Sequence, residues 1–199
     1  MIPADLVKKL RDQTGAGMME CKAALQEANG NLEEAVTILR KRGLASASKK
    51  SGRATSEGLI GSYIHLGGKI GVLVELNCES DFVARTDDFQ TLLKELALQV
   101  AASSPQFVRR EEVPADVLER ERAIYRAQTE GSGKPPQVIE KIVEGKLNSF
   151  YEQVCLVDQP SIRDPKMSVS QLVQAAIAKL GENISIARFV RFKVGEIAT

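Results

Sequence analysis

A chain of 199 residues that is 43% hydrophobic can bury an ordinary core with a small unit to spare, so two domains are expected. Its 27 Lys and Arg offset 26 Asp and Glu, which removes any whole-protein field for nucleic acid or an anionic membrane and sends the search for partners to local patches. A single histidine and three scattered cysteines, Cys21, Cys78 and Cys155, argue against a metal site, a cofactor or a disulfide framework; with no apolar run long enough to cross a bilayer, a soluble protein of the reducing cytoplasm is expected.

Residues 1–43 read as three short helices. Pro3 suits a first helical turn, and Leu6, Val7 and Leu10 recur at helical spacing until Gly15 and Gly17 interrupt. The second helix runs from about Met18 to Ala28 and ends at Asn29-Gly30-Asn31. Asn31 can cap a third helix bearing Leu32, Ala35, Val36 and Leu39, with Glu34 placed for a capping box and Gly43 for a stop. So small a bundle has a marginal core, and its exposed apolar residues are expected to help hold a partner. Residues 44–57, LASASKKSGRATSE, are small, polar and basic and read as a linker.

The remainder, 58–199, reads as an α+β core. Alternation through Leu59–His65, a Gly67-Gly68 turn and renewed alternation at Ile70, Val72, Val74, Leu76 and Cys78 give a β-hairpin. Asp87 or Asp88 can cap a helix whose stripe is Phe89, Leu92, Leu93, Leu96 and Val100. Two helical patterns flank GSGKPP, one with Val117, Leu118, Ile124 and Tyr125 and one with Ile139, Ile142, Val143, Leu147, Phe150 and Val154. They suggest a helical hairpin over about 114–157 that either pairs with itself or lies on the sheet. A helix with Leu172, Val173, Ala176, Ile177 and Leu180 ends at Gly181, and Ile184 to Val194 form a last strand. The expected architecture is a small three-helix bundle followed by three antiparallel strands packed with helices.

The stretch ELNCESDFVAR, 75–85, runs off a buried-looking strand and delivers Asp81 and Phe82 into a polar break. Two readings of Phe82 are open: a core aromatic at a strand end, as burial statistics favour, or a wedge aimed at another protein. Met18 and Met19 are adjacent, so at least one is expected to fill the core. A hydrolytic grouping of Cys78, His65 and Asp81 finds little support, because no glycine loop lies near Cys78 and no carboxylate is spaced to orient His65. An RNA-binding reading would use the basic linker with Arg188, Arg191 and Lys193, but without Trp and with 5% aromatics it lacks stacking platforms.

Two segments carry a family likeness: LRDQTGAGMMECKAAL (10–25) and ELNCESDFVAR resemble the signature motifs of elongation factor Ts. The likeness continues through GSYIHLGGKIGVLVELN, GKPPQVIEKIVEGKL and KLGENISIARFVRFKVG. The resemblance implies a guanine nucleotide exchange factor that binds elongation factor Tu·GDP, disturbs its Mg²⁺ and phosphate site and performs no covalent chemistry. It implies a homodimer, because the length is that of the compact members with one core subdomain. It also implies partner contacts: Ser80, Asp81, Phe82 and Val83 as the wedge, Leu10, Met18, Met19 and Lys22 from the N-terminal bundle, and His65 and Ile162 from the core. Ser80 stands where the family usually has Thr, and Ala23 where a polar or basic residue is common.

Overall fold

A computed structural model describes residues 2–129 and 133–196; the first two residues of GSGKPP lie outside the described residues. Among the described residues it shows eight α-helices and a three-stranded antiparallel sheet whose strands lie in chain order, the α+β architecture expected. By contact the chain divides into two compact units: Met1–Gly61 with Glu75–Lys94 and Gln171–Ile186, and Ser62–Val74 with Glu95–Ser170 and Ala187–Thr199.

The first unit begins with α1 (Ala4–Thr14), α2 (Met18–Glu27) and α3 (Leu32–Lys50). Pro3 stands just ahead of α1, and Gly15 closes it in the left-handed region at φ 69°. The Asn31 side chain caps α3 by accepting the Glu33 and Glu34 N–H groups. Val7, Leu10, Cys21, Ala24, Leu25, Ala28 and Ala35 make the bundle core.

The third helix does not stop at Gly43; it continues to Lys50, leaving only 51–56 as the non-helical connection to β1 (Glu57–Ile64). Gly43 is there for packing, because a Cβ on it would stand 3.2 Å from the Ala178 Cβ of α8 (Val169–Leu180). Arg40 donates to Gln171 Oε1 at 3.0 Å, and Lys179 lies along Gly15 to reach Asp88 at 2.7 Å, so α8 stitches together segments distant in sequence.

The same unit holds the end of β2 (Ile70–Cys78), which leads into α4 (Asp81–Ala84) and the first half of α5 (Asp87–Ser103). Neither Asp87 nor Asp88 caps α5. Thr86 does: its hydroxyl donates to Val83 O at 2.7 Å and accepts the Phe89 N–H at 3.3 Å, joining the one-turn α4 to the long helix. The aspartates instead stand in the first turn, where negative charge suits the helix dipole. Phe89 is completely buried, and α5 comes so close to β1 that a Cβ on Gly61 would stand 2.5 Å from Leu93 Cγ.

The second unit holds the hairpin turn, where the His65 N–H donates to Ile70 O at 2.9 Å and Gly67 and Gly68 take positive φ. It also holds α6 (Ala115–Thr129), α7 (Pro136–Val154) and the outer part of β3 (Ile184–Lys193). The two helices pack on each other as a hairpin: Arg126 pairs with Glu140, and Lys146 sits over the Tyr125 ring. At their base Val113, Val154 and Cys155 form a small core with Phe107, Val117, Leu118, Phe150 and Tyr151.

Candidate exchange site

Three residues decide how the ESDF segment is shaped. Ser80 is extended at φ −133°, and its hydroxyl accepts the Val83 N–H at 3.4 Å, which starts a single helical turn from what the sequence showed only as a polar break. Val83 and Ala84 point into the core, and because successive residues on a helix diverge by about 100°, Phe82 is turned away from them. Its side chain is 81% exposed. Asp81 is exposed beside it and pairs with Arg85 one turn on.

The turn is tied down from a distance. Ser80 donates its backbone N–H to Glu182 Oε2 at 3.0 Å and its hydroxyl to Oε1 of the same carboxylate at 2.6 Å. In return Glu79 Oε1 accepts the Asn183 N–H at 2.6 Å, while Asn183 Nδ2 donates to Arg53 O at 2.7 Å. The end of β2 and the turn before β3 thus exchange carboxylates. Sequence reasoning missed Glu79, Glu182 and Asn183, since nothing local marks bonds spanning more than a hundred residues.

On α2, Met18 and Met19 are 48% and 74% exposed, and Lys22 is exposed one turn on. The expectation that one methionine fills the core is corrected. Cys21, Ala24, Leu25 and Ala28 already complete the buried face, leaving the first turn of the helix projecting beyond it. Leu10 is corrected in the other direction: it is fully buried in the bundle, held there by the helical stripe it shares with Val7. Val83 is likewise a core residue rather than a surface one.

In the second unit His65 is exposed, with Nδ1 3.0 Å from the Tyr63 hydroxyl. Ile162 is exposed, and its backbone N–H donates to Gln99 Oε1 at 2.9 Å; Gln99 is itself buried and also bonds Gln159 and Pro160 O. Neither Cys78 nor Cys155 is placed to form a thiolate. Cys78 is buried and donates to Ser80 O, and desolvation, then Glu182, push its thiol up; burial foremost pushes the Cys155 thiol up to about 11. No group of His, Cys, Asp and Glu among the described residues is arranged to hold a metal ion, and none of their helices is long and apolar enough to cross a membrane.

A family model described as elongation factor TS matches residues 4–196. The chain belongs to the elongation factor Ts family. It is 61% identical over 195 residues to elongation factor Ts of Fervidobacterium nodosum, covering 98% of this chain and 99% of that one. Against elongation factor Ts of Thermosipho melanesiensis it is 60% identical over 196 residues, covering 98% and 100%. The elongation factor Ts of Solibacter usitatus is 58% identical over 195 residues, covering 98% and 92%. The elongation factor Ts match therefore takes in the bundle, the ESDF turn and all three strands.

Proposed function

We propose that this chain is the guanine nucleotide exchange factor of elongation factor Tu in the elongation phase of translation, acting in the cytoplasm. One observation carries the reading: within an elongation factor Ts chain, Phe82 is held almost wholly in water on a turn whose neighbours are buried. Exposing a large aromatic on a rigid support is unfavourable for the free protein and productive only against a partner.

A translational GTPase grips GDP with backbone amides around the phosphates, a lysine and a Mg²⁺ ion. An exchange factor does not need an acid, a base or a nucleophile. It binds the nucleotide-free GTPase better than the GDP-bound one, and linkage then makes each ligand weaken the other by the same factor. Phe82 inserts between side chains of the G domain and shifts an element next to the Mg²⁺ and phosphates. Asp81 holds Arg85 and anchors the edge of the wedge, and Ser80 and Val83 set its direction from below. Met18, Met19 and Lys22 form a second contact, built on a bundle whose shape Leu10 maintains. His65 and Ile162 supply a third from the core.

The working division of the chain is a helical contact unit that runs through α3, a connection at 51–56 and the core from β1 onward. The protein acts as a homodimer. Ile64, Leu73, Val190 and Phe192 are exposed on the strands of the second unit, and the hairpin register places Ile64 and Leu73 on the face opposite buried Val72 and Val74. Such a face suits a second copy of the chain. Sedimentation should give a dimer, and a fully active monomer at assay concentration contradicts it. The RNA-binding alternative loses ground because Arg40, Arg42, Arg53 and Arg191 are engaged with Gln171, Glu27, Glu79 and Glu196.

The exchange reading is tested by stopped-flow release of a fluorescent GDP from elongation factor Tu. Adding the chain should accelerate release in a saturable manner. A release rate unaffected at any concentration of the chain removes the proposal.

A further inference from the structure

We infer that Glu182 is a positioning residue for exchange: its carboxylate fixes the direction in which Phe82 is presented. The inference rests on the wedge reading above and extends it to a residue remote in sequence. A four-residue helix closes too few hydrogen bonds to repay its own nucleation, so α4 cannot be stable by itself. Two things hold it. Val83 and Ala84 anchor its inner side by burial, and Ser80 anchors its start through both of its donors on the two oxygens of Glu182, at 3.0 and 2.6 Å. Bonds to an ionised carboxylate are shorter and roughly twice as strong as neutral ones.

The carboxylate is itself fixed. It follows Gly181, which is in the left-handed region at φ 80°, and precedes Asn183, whose backbone N–H is held by Glu79 and whose side chain bonds Arg53 O and Ser51 O. Without Glu182, Ser80 is free to rotate, α4 frays from its N-terminus, and Phe82 samples directions that miss the GTPase. The same contact accounts for the Ser80 substitution. Glu182 uses the hydroxyl, which Thr shares, and has no need of the methyl.

The test compares Glu182→Ala, Glu182→Gln and Phe82→Ala in fluorescent GDP release, separating the limiting rate from the half-saturating concentration at a temperature where circular dichroism shows every variant folded. Glu182→Ala should lower the limiting rate on the order of tenfold, the loss expected for two charge-assisted bonds partly replaced by water. Its half-saturating concentration should stay within about threefold, because the methionine patch still docks. Glu182→Gln keeps one acceptor and the shape of the side chain and should fall between. A wild-type limiting rate for both Glu182 variants, beside a large loss for Phe82→Ala, overturns the positioning role alone. A normal rate for Phe82→Ala overturns the wedge reading and this inference with it. Equal losses in limiting rate and affinity for Glu182→Gln overturn it too, since they mark a general weakening rather than a misdirected wedge.

Discussion

Phe82→Ala should lower the limiting rate of GDP release from elongation factor Tu by roughly 10- to 100-fold, the worth of one fully buried Phe side chain expressed at the transition to the nucleotide-free complex. Its stability to urea should change by no more than about 0.5 kcal/mol, because the residue truncated is 81% exposed. The magnitude also sets what Phe82 cannot do. Shifting a population by about 10⁴ takes on the order of 5.5 kcal/mol of differential binding, against roughly 1.5 to 3 kcal/mol from the aromatic. On the proposed reading the remainder comes from Met18, Met19 and Lys22 and from the His65 and Ile162 surface. Some acceleration should therefore survive in Phe82→Ala, and a variant lacking the methionine side chains as well should lose it.

Phe89→Ala should do the opposite. Seven residues further on, this Phe is completely buried on α5, and its N–H is held by the Thr86 cap. Truncation of a buried Phe costs about 3 to 5 kcal/mol, a large part of the roughly 5 to 15 kcal/mol by which ordinary domains are stable. Urea denaturation followed by circular dichroism should show a sharply lowered midpoint, with exchange activity lost in step with the folded fraction. The pair separates role from residue type. If Phe82→Ala were the more destabilising of the two, the orientation of α4 described above would be wrong.

Much of this arrangement was legible in the sequence, and the exceptions have physical causes. The hairpin, the helix of Phe89 to Val100, the α6–α7 pair and the last strand follow from periodicity, which burial on one face imposes directly. Gly43 misled because glycine near a helix end is ambiguous: here it makes room for Ala178, a residue 135 positions away that no local rule can see. Asp87 and Asp88 misled because Thr86, one place earlier, already had a hydroxyl bonded at both ends. Phe82 itself could not be oriented from the residues alone, and only the resemblance favoured the outward reading. The structure supplies the reason in Ser80, which starts a helical turn that sends Val83 and Ala84 inward. Leu10 shows the converse limit, since a position matched by likeness to a contact residue lies wholly inside the bundle.

The exchange reading requires a coupling: the chain and GDP weaken each other on the same GTPase. Its most direct measurement is the affinity of the chain for elongation factor Tu, by titration calorimetry, with the GTPase nucleotide-free and then saturated with GDP. The affinity should fall on adding GDP by the same factor by which the chain lowers the affinity for GDP, as linkage requires, and that factor should shrink in Phe82→Ala. Equal affinity for the two forms of the GTPase would contradict the account.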